Sequence, residues 1–337
     1  MNLAQFPRRG YVKEPTPIEF LPSFSKALGG KVNIYMKRDD LLPGTGGGNK
    51  TRKLDFSIAD ALAKGCDTII TCGAVQSNHA RLTLAWAVKE GLDCHLVLEQ
   101  RVAHSYNPAA SGNNFLYQLL GVKSITVVDG GSNMAEEMQK VADKLAAQGK
   151  KPYIVPGGAS NPVGALGYVQ CGQETMQQMF EMGLNFDHII VPSGSAGTHA
   201  GFLLGMLGCN MNIPISGIGV NRKKPVQEEA VYTLAQQTAD YIGAKIDIPR
   251  EAVVAYDDYV GPGYSLPTDA MCEAVIMLAR TESILLDPVY SGKAMSGLID
   301  LVRKDHFKPG SNILFLHTGG SPALYAYLDT FRKDVHF

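Results

Sequence analysis

The stretch GTGGGNKTRKL, Gly44 to Leu54, sets a lysine at the end of a glycine run and at the start of an amphipathic segment. An amine placed there can act as a fixed cation for a phosphate, or as a nucleophile and base toward a carbonyl compound. A nucleotide-binding loop needs a second glycine directly before its lysine, and Asn49 stands in that position ahead of Lys50. No acidic strand end suited to a magnesium ion follows, so the nucleotide reading is weak. On this stretch alone, a glycine turn with a surface lysine is the plain alternative.

Two further stretches change the balance. VPSGSAGTHAG (191–201) leaves an apolar run and opens another, GFLLGML. Small residues at Ser195, Ala196, Gly197 and Thr198 let backbone amides approach an anion at a helix start. The pattern is not the dinucleotide fingerprint, which favours a single phosphate group. GAVQSNHARLT (73–83) also runs from strand to helix, with Ser77, Asn78 and His79 at the junction. These three could cap the helix, or could hold a substrate carboxylate. A lysine, a phosphate cup and a carboxylate cup together point to an aldehyde cofactor carrying a phosphate, and pyridoxal phosphate fits.

The elements that must position these loops alternate. Strands are expected at 32–37, 68–72, 94–99, 124–129, 152–156, 188–193, 214–220 and 312–317. Helices are expected at 81–91, at 134–149 with Gly149 as its stop, and at 268–282 with Thr268 or Asp269 as its cap. Continuous apolar strands between helices predict an α/β fold with parallel sheets. Gly-rich breaks at 43–49 and 157–158 bracket one lobe at about 53–160, and a cleft between lobes is a natural ligand site.

The chain has 337 residues, is 45% hydrophobic and carries a net charge of −1, with no basic stripe for nucleic acid. No apolar run reaches the roughly 18 residues of a membrane span, and the first residues lack an apolar signal core. A cytoplasmic protein is expected. The six cysteines are scattered without a paired spacing, which suits reduced thiols and gives no metal site.

GGNKTRKL, QSNH, SGSAGTHAG, GPGY, LLDPVYSGKAM and HTGGSPALYAY together resemble the aminocyclopropane-carboxylate deaminase and D-cysteine desulfhydrase family of pyridoxal-phosphate enzymes. The resemblance runs from PTPIE (15–19) and KRDD (37–40) to the C-terminus. It implies a two-domain tryptophan-synthase β-like fold (fold type II), with a large domain from 1–52 plus 162–337 and a small one at 53–161. It implies a homodimer acting on a small amino acid. By resemblance, Lys50 is the Schiff-base lysine, Ser195 to Thr198 form the phosphate cup and Asn78 lies beside the ring hydroxyl. Ser77 and His79 lie where the substrate carboxylate is held, and Tyr264 and Tyr290 face the substrate. Tyr256 and Tyr259 are read as core aromatics, and no catalytic role is assigned to Lys53 or His317.

Family members that open a cyclopropane ring carry Glu and Leu where this chain has Ser291 and Thr318. A hydroxyl there donates to a neutral ring nitrogen, where a carboxylate would hold it charged. Ser291 and Thr318 therefore favour α,β-elimination from a β-substituted alanine over ring opening. Lys50 would take the Cα proton, and Tyr290 or Tyr264 would position or protonate the leaving group. QSNHARLTLA, SGNN, GIGVNR and YVGPGYSLP resemble the L-cysteate sulfo-lyase branch, with Arg81, Asn113, Asn114, Arg222 and Ser265 as candidate sulfonate donors. D-cysteine desulfhydrase is the alternative. Aminocyclopropane-carboxylate deaminase stands behind it, and a non-enzymatic binder of an anionic metabolite is the reading of a different class.

Overall fold

Runs of β-branched residues bounded by Gly, Ser or Asn form strands here because their side chains can be buried on both faces of a sheet. The computed structural model describes residues 1–332. In chain order the strands are β1 (Ile18–Phe20), β2 (Asn33–Arg38), β3 (Thr68–Ala74), β4 (Asp93–Gln100), β5 (Ser124–Asp129), β6 (Pro152–Val155), β7 (His188–Ser193), β8 (Ile215–Gly219), β9 (Val254–Tyr256) and β10 (Asn312–His317). They make a six-stranded sheet, β1-β2-β10-β7-β8-β9, and a four-stranded sheet, β5-β4-β3-β6. Every pairing is parallel except the edge strand β1, which runs antiparallel to β2 with Ile18 opposite Lys37. The chain is thus an α/β fold of parallel sheets flanked by helices. The eight strands expected from sequence are present, and β1 and β9 are additional.

The expected helices appear as Asn78–Lys89, Met134–Ala146 and Asp269–Glu282. Thr268 caps the last of these, its Oγ1 accepting the Met271 amide at 3.1 Å. The second ends earlier than expected. It stops at Ala146, and Gly149, at φ 83°, closes the following turn through its amide to the Ala146 carbonyl.

Helix packing aims two helix starts at one place. Helix Pro162–Met182 lies against both Lys50–Ala63 and Gly197–Leu207. It approaches the latter so closely that a Cβ on Gly172 would stand 2.9 Å from the Gly205 Cα. The loops after β3, β7 and β10 open on the same side, at the C-terminal ends of parallel strands, where such folds bind ligands. Among the described residues no helix is long and apolar enough to cross a membrane.

Candidate active site

One cavity is lined by Lys50 and Asn49, by Ser77, Asn78 and His79, by Ser193 to Ala196 and Thr198, and by Tyr264, Tyr290 and Thr318. The loops read from sequence therefore meet. Lys50 begins its helix and donates to the Asn49 Oδ1 at 3.0 Å. Burial lowers the amine to about 8, and Arg81 adds to the effect, while the Asp287 carboxylate opposes it. A substantial neutral fraction is thus available near neutral pH.

Asn49 ties the loops together. Its side chain does not cap its own helix. Its Nδ2 donates to Thr198 Oγ1 at 2.9 Å, and its backbone amide donates to the Thr318 carbonyl at 3.0 Å. The residue that spoils a nucleotide loop in the sequence is the one joining Lys50 to the two other loops.

The loop expected to take a phosphate has the form a small anion needs. Ala196 takes φ 76°, ψ −36°, a strained conformation for a residue with a Cβ, and turns the chain into helix Gly197–Leu207. Ser160 Oγ donates to Ser195 Oγ at 2.8 Å and accepts the Gly197 amide at 3.2 Å. A Cβ on Gly197 would lie 2.7 Å from Ser160 Oγ and 2.9 Å from Lys53 Nζ, so only glycine leaves this polar cradle open. Lys53 is fully buried and donates to the Gly158 carbonyl at 3.0 Å. Burial and then the nearby Lys50 push its amine well below the ordinary lysine value. A doubly charged phosphate meets both needs of this corner, an anion for the buried lysine and an acceptor for the helix amides. Sequence reading left Lys53 without a role. Its spacing three residues after Lys50, on one helix face, was the available signal.

The second cup is more closely committed to the protein. Ser77 Oγ caps helix Asn78–Lys89 by accepting the Ala80 amide at 3.1 Å. Asn78 Oδ1 accepts from Asn113 Nδ2 at 2.9 Å. His79 Nε2 meets Thr71 Oγ1 at 2.7 Å, and that hydroxyl donates to the Val155 carbonyl, so His79 carries its proton on Nε2. Burial, with Lys50 and Lys53 behind it, holds His79 neutral, well below the ordinary histidine value.

Tyr264 and Tyr290 share a hydrogen bond of 2.7 Å between their hydroxyls, with rings edge to face at 79°. Lys50 Nζ lies 5.9 Å from the Tyr290 ring centre. Burial raises both phenols above the ordinary tyrosine value. Tyr259 donates instead to Asp300, and Tyr256 packs on the apolar core.

Thr318 and Ser291 part company. Thr318 lines the cavity, whereas Ser291 is fully buried outside the lining. The Ser291 hydroxyl donates to Asp287 Oδ1 and accepts the Asp287 amide, each at 2.8 Å. Asp287 also accepts the amides of Val289, Tyr290 and Ser291, which fixes Tyr290 at the start of helix Ser291–Arg303. Sequence reading missed Asp287, although an Asp-Pro pair before a helix is a capping signal.

Of the candidate sulfonate donors, only Arg222 lines the cavity. Arg81 is buried and bonds Asn113 Oδ1 and the carbonyls of Thr45 and Gly47, so it staples the glycine loop. Asn114 donates to the Asn107 carbonyl at 3.0 Å, and Ser265 offers its carbonyl to Tyr327. Arg101, which sequence reading passed over, also lines the cavity.

Comparison with known proteins supports the fold and the cofactor. The profile of the pyridoxal-phosphate dependent enzyme family matches residues 11–319. A crystal structure described as the ACC deaminase homologue is 38% identical with a TM-score of 0.89, over 98% of this chain and 97% of that one. O-ureido-L-serine synthase is 18% identical with a TM-score of 0.65, over 95% of this chain and 93% of that one. A pyridoxal 5'-phosphate-dependent aspartate racemase is 15% identical with a TM-score of 0.64, over 92% of each chain. The last two share the fold. The chain belongs to the pyridoxal-phosphate dependent enzyme family, and pyridoxal phosphate is its cofactor.

Proposed function

We propose that the chain eliminates the β-substituent from a β-substituted alanine, with L-cysteate as substrate and pyruvate, ammonium and hydrogen sulfite as products. The observation that carries this reading is the placement of the Lys50 amine across one cavity from the Tyr264–Tyr290 hydroxyl pair. A base for Cα and a hydroxyl donor for the group on Cβ are then available on the two sides of one small substrate. When bound, pyridoxal phosphate supplies the electron sink that makes the Cα proton removable. Lys53, Ser160 and the amides from Ser195 to Thr198 would hold its phosphate. Asn78 would contact its ring, and the Thr318 hydroxyl, which also lines the cavity, would donate to its nitrogen.

Lys50 removes the Cα proton. The electron pair of the Cβ–S bond leaves with sulfur as sulfite, and the tyrosine pair orients the departing oxygens. The proton held by Lys50 leaves with sulfite as hydrogen sulfite, and the 2-aminoacrylate released takes up water and the proton shed by the substrate ammonium group to give pyruvate and ammonium. The corner of Ser77, Asn78 and His79 receives the substrate carboxylate, with His79 acting there as a neutral side chain.

A sulfonate is favoured over a thiol by charge. Among the described residues, the charged side chains lining the cavity besides the base Lys50 are Arg101, Arg222 and Glu99, an excess of cations facing a substrate with two acidic groups. D-cysteine, with sulfide leaving, is the alternative reading. The same proposal includes a cytoplasmic homodimer and the division into 1–52 plus 162–337 and 53–161. Assay of pyruvate release from L-cysteate, D-cysteine, L-cysteine, β-chloro-D-alanine and aminocyclopropane carboxylate tests the reaction. Release from D-cysteine but not from L-cysteate would replace the first reading with the second. Release from neither would remove both.

A further inference from the structure

We infer that Arg101 and Arg222 form a subsite for the anionic group on the substrate's Cβ, one arginine reaching it from each sheet. The inference deepens the proposed elimination and rests on it for the direction of the substrate.

Arg101 follows β4 of the four-stranded sheet, and Arg222 follows β8 of the six-stranded one. Both line the cavity that holds Lys50. Arg101 is held in place. Its Nε donates to Glu99 Oε2 at 2.7 Å, and the other Glu99 oxygen accepts the Gly131 amide at 3.0 Å. Its guanidinium carbon stands 4.1 Å over the Tyr264 ring centre, a stacked cation with further N–H donors left for a ligand. Arg222 makes one long bond, 3.4 Å, to the Gly194 carbonyl, at the mouth of the phosphate loop.

Contacts order these groups along the cavity. Lys50 lies 5.9 Å from the Tyr290 ring centre, the Tyr290 hydroxyl meets that of Tyr264, and Arg101 covers the Tyr264 ring. A substrate whose Cα is beside Lys50 therefore points its Cβ group toward the tyrosines and the guanidinium beyond them. A Cβ on Gly194 would stand 2.9 Å from Cε1 of the Tyr290 ring, so Arg222, which bonds the Gly194 carbonyl, approaches the tyrosine pair from the other sheet. Arginine suits a three-oxygen anion because its fork donates two parallel hydrogen bonds.

The test separates affinity from turnover. Holoenzyme, as wild type, Arg101→Gln, Arg101→Lys and Arg222→Gln, is mixed rapidly with L-cysteate or with L-alanine, which lacks the Cβ anion. The amplitude of the cofactor absorbance change gives each Kd, and sulfite release is measured separately. The wild type should bind L-cysteate more tightly than L-alanine. Each Gln variant should weaken L-cysteate by about 10- to 100-fold while L-alanine shifts by less than about threefold, as expected for loss of one charge-assisted hydrogen bond. Arg101→Lys should recover part of the loss. Equal weakening of both ligands, or a wild type that does not prefer L-cysteate, overturns the subsite. A wild type that shows the preference, and loses it in the variants, yet releases no sulfite keeps the subsite and removes the sulfo-lyase reading.

Discussion

The first turn of helix Lys50–Ala63 carries three basic side chains, the half-buried Lys50 and the buried Arg52 and Lys53, on two sides with opposite surroundings. Arg52 faces a saturated network. It donates to both oxygens of Asp39 at 2.8 and 2.9 Å, to both of Glu174 at 2.8 and 2.9 Å, and to Thr16 at 3.1 Å. Lys37 joins through Glu174 and Gln178, and Tyr168 donates to Asp39 at 2.6 Å. Burial opposes its charge, yet Asp39 and Glu174 hold the Arg52 guanidinium well above the ordinary value. Lys50 lines the cavity and Lys53 lies beside Gly197 behind it; their bonds go to an amide oxygen and a carbonyl, and burial lowers both amines. A paired buried cation fixes the fold, and an unpaired one is kept ready for a ligand.

The largest effect expected on the cavity side comes from Lys50→Ala. Turnover should vanish, together with the absorbance of the lysine-linked cofactor. Retained absorbance would pass the linkage to another amine, and Lys53 would be the first to examine.

On the network side the largest loss is of stability. Arg52→Met leaves the fully buried Asp39 carboxylate with the Thr16 and Tyr168 hydroxyls and the Cys171 thiol as its hydrogen-bond partners. Denaturant unfolding should show about 3–5 kcal/mol lost, the usual result of breaking a buried ion pair. A loss below about 1 kcal/mol would mean that the network is no more than a surface-grade pair.

The two sides were unequally legible in the sequence. Lys50 and the cups stood out because glycine and small polar residues after an apolar strand have few other uses. The eight longer strands were legible for the same reason, as apolar runs with clear ends. The edge strands β1 and β9 span three residues each and owe their conformation to pairing, which no local pattern carries. Helix Pro162–Met182 did carry signals, Asn161 as cap, Pro162 at its start and left-handed Gly183 at its end, and they were not used. Arg101 and the Arg52 network depend on contacts between distant segments, whereas the Asp287 carboxylate bonds Val289, Tyr290 and Ser291 and was a local capping signal. Residue type alone did not separate Arg101, at the cavity, from Arg81, which staples a loop.

Lys53→Met should weaken cofactor binding by about 10- to 100-fold, the value of one charge-assisted hydrogen bond in a buried site. Apoenzyme stability should hold or rise, because an unpaired buried amine is removed. Unchanged affinity for pyridoxal phosphate would take Lys53 out of the phosphate corner.

The Lys50 amine also gives a pH signature. Its folded value of about 8 lies below the ordinary 10.5, so between these values the unfolded apoenzyme binds more protons than the folded one. Apoenzyme stability should therefore gain a component that rises with pH across that window and is flat below about 8. Recapture of the cofactor aldehyde, which needs a neutral amine, should speed up roughly tenfold per pH unit until it levels near the same value. Unfolding curves of wild type and Lys50→Ala apoenzyme from pH 7 to 11 check the first point. Identical pH slopes in the two proteins would place the amine at an unperturbed value.

The smallest expected effects come from two hydroxyls that the sequence treats as a pair. Thr318 lines the cavity, and Ser291 is bound to Asp287 behind it. Thr318→Val should slow elimination about tenfold, the equivalent of about 1.4 kcal/mol, with little change in stability. Ser291→Ala should do the reverse. Asp287 loses a donor to its carboxylate and an acceptor for its amide, which should cost about 1–2 kcal/mol of stability. Turnover should stay within about threefold, because the remaining amides of Val289, Tyr290 and Ser291 still hold Asp287 and through it Tyr290. Unfolding curves and steady-state rates on the two variants separate the cases. A Ser291→Ala enzyme as slow as Thr318→Val but fully stable would mean that the serine hydroxyl leaves Asp287 and serves the ring when the cofactor is bound. The division between a fold-holding side and a chemical side would then fail at this residue.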